Sequence, residues 1–306
     1  MSILLTSSFK EEPAEAYHEV KAVSSHAIIS MHKSPKTYYD KNVLGKKEEP
    51  TPAMEFGTMF HCAILEPEKF KTMFHVEPKF DKRTTAGKEG YAAFKAGLPA
   101  GAKTVSAEDM DTLNGIVEAF NAHPLAPELI QGGVAEMSGY FTDINTGTPL
   151  KIRPDYIRAD HTLIDLKTCR DASQNRFQSQ VYDFGYYIQA AFYADVYSMI
   201  MGRELDSVPF VFIAIENTKP FNIGVYPLAK KAIQQGRDVY RSALYKYLEC
   251  VNSGKWADLN ESNAVEIDLP YWVYKRKEYQ SWQIKKSKKQ LSHYQPFLQR
   301  LSNGRS

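Results

Sequence analysis

Cysteine is scarce: Cys62, Cys169 and Cys250 are the three in 306 residues. They lie far apart, so they supply neither a disulfide framework nor the paired spacing of a zinc or iron–sulfur ligand set, and buried reduced thiols are expected. The chain also lacks any run of about 18 uninterrupted apolar residues, the length that a bilayer-spanning helix requires. Its first residues, MSILLTSSFKEEPAEAY, carry no basic stretch leading into an apolar one, as a secretory leader would. No membrane partner and a cytoplasmic location are therefore expected. The low hydrophobicity of a disordered chain is absent too. With 43% hydrophobic and 24% charged residues, the sequence can bury one sizeable core.

The net charge of +2 conceals an uneven distribution. Residues 271–306 hold nine Lys/Arg against the single acid Glu278, which leaves 29 basic and 35 acidic residues in the rest. A basic tail that also carries Tyr271, Trp272, Tyr274, Tyr279 and Trp282 suits a polyanion, because cations displace counterions and rings stack on bases. A solvated helical face has the same composition. The expected organisation is a loose N-terminus over 1–20, a main domain over 21–255 and a basic aromatic extension over 256–306.

Periodicity predicts a helix after Ser24-Ser25 that Pro35 interrupts, and a second from Ala53 to Pro67 with Phe56, Phe60, Ala63 and Ile64 on one stripe. Residues 76–104 read as an exposed basic loop with one short helix. Ser106 and Asp109 form a capping box that opens a helix ending near His123-Pro124. Three strand-like segments follow, Glu136–Thr142, Leu150–Arg158 and Thr162–Thr168, read as adjacent antiparallel strands. Asp183–Met201 reads as a striped helix, Val208–Ile215 with Asn222–Val225 as a hairpin, and Ile233–Val251 as a long amphipathic helix ending at Gly254. The order implies an α/β sandwich around a mixed sheet flanked by helices.

The chemistry concentrates in Arg153-Pro154-Asp155 and, after nine intervening residues, Asp165-Leu166-Lys167. Asp165 and Lys167 are two apart on a strand and share a face, while Leu166 points to the core. An Asp155 on the neighbouring strand converges on the same spot. Two carboxylates and an ammonium suit Mg²⁺, a hard cation that takes oxygen ligands and bridges to phosphate, with Lys167 holding or deprotonating the attacking water. A surface salt bridge would show the same residues. Against it, Asp165 sits within the apolar Leu163–Leu166, where an unpaired carboxylate would cost several kcal/mol.

Four segments together resemble the PD-(D/E)xK nuclease superfamily, in its RecB-like branch and its RecE type (exodeoxyribonuclease VIII). They are VSSHAIISMHKSPKTYY from Val23, EFGTMFHCAILE over Glu55–Glu66, the stretch from Glu136 through TGTPLKIRPDYI to LIDLKTCRDAS, and YYIQAAFY over Tyr186–Tyr193. The resemblance implies a restriction-endonuclease-like core and a catalytic set of Asp155, Asp165 and Lys167. It further implies Mg²⁺ held by Asp155, Asp165, His61 and the Leu166 carbonyl, with Mn²⁺ able to substitute. A histidine beside an apolar stripe is also a common core residue. Gln189 and Tyr193, four apart on one helix face, are placed to contact the substrate backbone or to cap sheet carbonyls. Glu136 matches an acidic position of the family or forms a strand-edge salt bridge. Arg153, Thr168 and the Lys82-Arg83 pair are candidates for phosphate contacts or solvated loop charge. Three scattered cysteines set the chain apart from the iron–sulfur members of the branch.

By this resemblance the chain is expected to be a Mg²⁺-dependent exodeoxyribonuclease of a bacterial or phage-infected cell. It would degrade double-stranded DNA from its ends, 5′ to 3′, and feed single strands to a RecT-type annealing protein. A homo-oligomer is expected. The alternatives are an endonuclease or single-strand exonuclease of the same superfamily, and a non-hydrolytic DNA-binding scaffold.

Overall fold

The structure, a computed structural model, describes residues 9–46, 49–261, 263–270 and 273–274. The basic residues expected to bind a polyanion, from Lys275 on, lie outside the described residues. Met1–Asp258 is one compact unit and Leu259–Ser306 a second. Trp256 stacks on Tyr38 within the first, with ring centroids 5.4 Å apart, so the body runs slightly past the expected boundary at 255.

Ten strands form three sheets among the described residues: β1 (Phe9–Lys10), β2 (Phe74–Val76), β3 (Lys103–Val105), β4 (Gly133–Ala135), β5 (Ser138–Thr142), β6 (Pro149–Ile152), β7 (Tyr156–Arg158), β8 (Leu163–Cys169), β9 (Phe210–Glu216) and β10 (Ile223–Pro227). The largest sheet has the order β10–β9–β8–β7–β4. Its central pair β8–β9 is parallel and the other neighbours are antiparallel, which makes it the mixed sheet expected. β1, β5 and β6 form a three-stranded antiparallel sheet, and β2 and β3 a parallel pair.

Six longer helices matter for the site: α1 (Ser25–Lys33), α2 (Pro52–Leu65), α3 (Ala107–Ala122), α4 (Gln174–Asp183), α5 (Tyr186–Met201) and α6 (Lys230–Ser253). Their starts follow from local chemistry. The side chains of Ser24, Thr51 and Ser106 accept the backbone N–H of Ala27, Met54 and Asp109, satisfying donors that a helix start leaves unpaired. β8 and β9 are near-continuous apolar runs because helices cover both their faces. Leu163, Phe210 and Phe212 pack with Ile28, Phe192 and Leu244 from α1, α5 and α6. Ile164, Leu166 and Ile213 pack with Phe60 and Ile116 from α2 and α3 on the other side.

Four expectations change. Leu150–Arg158 is not one strand but β6 and β7, which belong to different sheets. Pro154 has no N–H to offer a ladder and holds Arg153 extended, so pairing breaks there. The helix expected over Asp183–Met201 is α5, beginning at Tyr186, and Gly185, at φ 72°, separates it from α4, a helix that was not anticipated. α5 is buried on all sides from Ile188 to Ser198 rather than along one stripe. Residues 76–104 carry the expected helix, over Thr85–Ala96, but also enter a strand, β3, at Lys103.

The fourth concerns the N-terminus, which is built into the fold from Phe9 onward. Phe9 is buried against Tyr197, and Lys151, itself buried, donates to the carbonyls of Tyr17, His18 and Val20 at the end of the helix Ala14–Glu19. An ammonium at a helix C-terminus meets both its orphan carbonyls and its dipole. The three cysteines are free and buried. Burial pushes the Cys62 and Cys169 thiols up to about 11, which fits inert thiols. Among the described residues no helix is long and apolar enough to cross a membrane.

Candidate active site

The site forms where the chain changes sheets. β4 ends at Ala135 and β5 begins at Ser138; β6 ends at Ile152 and β7 begins at Tyr156. Glu136 and Asp155 therefore occupy the two crossings side by side, with the Glu136 N–H donating to the Asp155 carbonyl at 3.0 Å. Glu136 adopts φ 53°, a left-handed conformation that costs a non-glycine residue free energy and turns its side chain out of the ladder.

β7 pairs with β8 only through Tyr156↔Ile164 and Ile157↔Leu163, so beyond Ile164 that edge of β8 carries free backbone groups. Side chains of the site take them. Asp155 Oδ2 accepts the Leu166 N–H at 2.7 Å, and His61, reaching over from α2, donates from Nε2 to the Leu166 carbonyl at 3.0 Å. With Nε2 carrying the proton, Nδ1 presents a lone pair 3.5 Å from Asp155 Oδ2. His61, Glu136 and Asp155 each place one potential ligand atom within 4.8 Å of the other two. His61 and Glu136 open on a cavity of about 910 Å³ that Glu12 and Arg153 also line.

On the other side of β8 the expected partners meet. Asp165 is 1% exposed and its Oδ2 contacts the Lys167 ammonium. Gln189, buried on α5, donates to Asp165 Oδ1 at 3.2 Å. The Lys167 Nζ lies 4.7 Å from the Tyr186 ring centroid, a cation–π contact.

The electrostatics follow from burial and crowding. Burial and then the Asp165 charge raise the Asp155 pKa; burial and then Asp155 raise that of Glu136. Burial works against the Lys167 ammonium, but the Asp165 and Asp155 carboxylates outweigh it and its pKa is raised. Burial and then Lys167 lower the His61 pKa, which favours the neutral imidazole that a metal ligand must be.

Asp155, Asp165, Lys167, His61 and Leu166 thus come together as the sequence suggested, with the grouping altered. Glu136, rather than Asp165, completes the closest set of potential ligands. The Leu166 carbonyl is engaged by His61 Nε2, so Nδ1 is the histidine atom left to face a cation. Asp165 Oδ2 is buried without a well-formed hydrogen bond, and its ammonium neighbour supplies charge instead. A neutral imidazole lone pair, two carboxylates of raised pKa and a poorly satisfied third form a donor set that a divalent cation fits.

The other candidate contacts stand as follows in the fold. Arg153 is buried, donating from Nε to Glu136 Oε2 at 2.8 Å and from Nη1 to the Ser138 hydroxyl and the Glu12 carbonyl. These bonds make it a support for Glu136. Gln189 and Tyr193 are both 6% exposed, and Gln189 donates to the Asp165 carboxylate, not to a sheet carbonyl. Strand alternation puts Thr168 on the Leu166 face, away from Asp165 and Lys167. Lys82 and Arg83 pair with Glu77 and Asp81 within their own segment. Tyr186 was missed, although its position three before Gln189 places both on one helix face.

No curated protein matches the sequence. The fold superposes with a TM-score of 0.59 on a candidate exonuclease from Eubacterium rectale, 12% identical, the match covering 85% of this chain and 97% of that one. A phage-related exonuclease from Haemophilus somnus 129PT, also 12% identical, matches over 76% of this chain and 96% of its own, with a TM-score of 0.31. Over residues 24–266, a stretch that contains every one of these site residues, the sequence matches the family described as a PDDEXK-like domain of unknown function (DUF3799), and the chain belongs to that family and so to the PD-(D/E)xK superfamily.

Proposed function

We propose that the chain is a divalent-cation-dependent deoxyribonuclease that digests double-stranded DNA from its ends, 5′ to 3′. The observation that carries this reading is the convergence of His61, Glu136 and Asp155 next to the Asp165–Lys167 pair at the free edge of β8. His61 Nδ1, Glu136 and Asp155, with Asp165 adjacent, would hold Mg²⁺, and Mn²⁺ in its place. When bound, such a cation supplies Lewis acidity to the scissile phosphate and makes water more acidic.

The chain's own groups do the rest. Lys167, kept protonated by its two carboxylate neighbours, offsets charge on the pentavalent phosphorus and can donate a proton; acting as the base is the disfavoured role. Gln189 and Tyr186 orient Asp165 and Lys167 from the core side. A RecT-type annealing partner, a ring-shaped homo-oligomer that keeps hold of one strand between cuts, and action in the cytoplasm of a bacterial or phage-infected cell complete the proposal.

End-labelled linear duplex, incubated with and without Mg²⁺ beside closed-circular DNA of equal mass, tests activity, metal and direction together. Nucleotide release from the 5′ label of the linear form alone is expected. Cutting of the circle would make the enzyme an endonuclease, and no release with any divalent ion would remove the nuclease reading. Arg153→Lys, which cannot reproduce the forked contact to Glu136 and Ser138, is expected to raise the Mg²⁺ concentration for half-maximal activity by about 10–100-fold. Far-UV circular dichroism should stay unchanged. An unaltered Mg²⁺ requirement would take Glu136 out of the ligand set.

A further inference from the structure

The parallel pair β2–β3, connected through the helix over Thr85–Ala96, carries a basic stretch to which the reaction gives no role. Most of its cations are engaged within it. Lys82 and Arg83 form ion pairs with Glu77 and Asp81, and Lys95 donates to the Thr104 hydroxyl at 3.2 Å. Lys79, Lys88 and Lys103 have neither an ion pair nor a side-chain hydrogen bond among the described residues. Of these three, Lys103 is the one that lines the cavity onto which His61 and Glu136 open.

The strand fixes where Lys103 stands. It pairs in register with Phe74, whose ring is buried and stacks on Phe70 at 5.2 Å, and the Lys103 Nζ lies 6.0 Å from the Phe74 centroid. The residue is otherwise exposed. The two other Lys or Arg side chains that line the cavity are engaged: Arg153 by Glu136, and Lys69, from the helix Pro67–Met73, by both carboxylate oxygens of Glu66 at 3.0 and 2.9 Å. The charges of Lys103 and Glu136 both act on the Cys62 thiol, next to His61, so the unpaired ammonium and the candidate ligand share one field. The N-terminal segment supplies Glu11 and Glu15, acids without an ion pair among the described residues.

An unpaired ammonium on a rigid strand, in a cavity whose other cations are neutralised, suits an anion that is already tethered at the catalytic end. A phosphodiester chain is such an anion, because a phosphate held at the reaction site carries its neighbours into the same cavity. Glu11 and Glu15 repel those neighbours and Lys103 draws them. A small free anion would find only this one lysine among acids, and a single exposed ion pair is too weak to hold it. We infer that Lys103 is a substrate-binding residue, whose ammonium takes a backbone phosphate of the DNA close to the one being cleaved. This rests on the nuclease reading for the identity of the anion, while its test needs no hydrolysis.

The probe is a fluorescently labelled DNA duplex mixed with the full-length protein in EDTA, with affinity read by anisotropy across a salt series. Lys103→Met is expected to weaken binding about fivefold at low salt and to lower the slope of log affinity against log salt by about 0.9, the share of one phosphate contact. Lys103→Arg should restore both. Lys231→Met, at an exposed position of α6, across the sheet from α2, should leave affinity and slope as in wild type. With Mg²⁺, Lys103→Met should raise KM by a similar factor and keep kcat within about twofold, the pattern of a contact made equally in ground and transition states. The side chain is exposed, so the variants should fold, as circular dichroism would check. An unchanged slope and KM in Lys103→Met would overturn the inference and leave the nuclease reading in place. An equal loss in Lys231→Met would overturn it too, because the effect would then be one of net charge. A slope lowered in Lys103→Met alone, in a protein that hydrolyses DNA with none of the divalent ions, would support the phosphate contact and dismiss the nuclease reading.

Discussion

Lys167→Met is expected to lower DNA hydrolysis by about 10³-fold and to lower the unfolding free energy by about 3–5 kcal/mol, because it strands a buried carboxylate. Asp165 is 1% exposed, and among the described residues its Oδ2 has no hydrogen bond and is paired with that ammonium. Adding Asp165→Asn to Lys167→Met should restore most of the stability, since the amide oxygen can still accept from Gln189, and none of the activity. Asp165→Asn alone should be milder for folding. The Lys167 side chain keeps 16% of its surface exposed and rests over Tyr186, so its charge can reach water. Urea titrations of the three variants, read beside end-labelled digestion, separate the two roles. Hydrolysis by Lys167→Met within a factor of ten of wild type would take the lysine out of the reaction.

Asp155→Asn should act on stability in the opposite direction. The Asp155 carboxylate, 13% exposed, stands close to Glu136, and its pKa is raised by partial burial and by the Asp165 charge. A folded-state pKa above the unfolded value of about 3.9 means that the folded form binds the proton more tightly. The stability this contributes is fully present below the unfolded value and is lost as pH rises through the folded one. At neutral pH without divalent ions, replacing the charge by an amide that still accepts from the Leu166 N–H should stabilise the protein by on the order of 1 kcal/mol, while activity falls by more than about 100-fold. Mg²⁺ should raise the melting temperature of wild type by mass action on the folded state and leave that of Asp155→Asn unmoved. A variant that melts below wild type in EDTA, or that gains as much from Mg²⁺, would show that Asp155 is not a strained ligand.

The sequence revealed most where local chemistry acts alone. The caps at Ser24 and Ser106, the β9–β10 hairpin and the shared face of Asp165 and Lys167 depend on neighbours a few residues away, and all three stand as read. Failures came where long-range packing decides. Val251 belongs to the apolar pattern of α6 yet is 50% exposed, while α5, apolar or aromatic on nearly every face, is buried all round and not along one stripe. The partners of Arg153 and Gln189 were not legible because Glu136 and Asp165 are 17 and 24 residues away. No periodicity reports that a guanidinium is spent on a carboxylate across two strands. Glu136 was legible as an acid near the site, but its place in the closest donor set depends on a left-handed backbone at the crossing between sheets.

That crossing also insulates the site. Both carboxylates stand at the root of the β5–β6 ribbon, whose turn, with Ile144 83% exposed, lies at the opposite end, roughly 15 Å away at about 3.3 Å per strand residue. Extra residues spliced in at Asn145 would lengthen the tip without levering the root, so a reporter peptide or a tether could be carried there while donor spacing stays untouched.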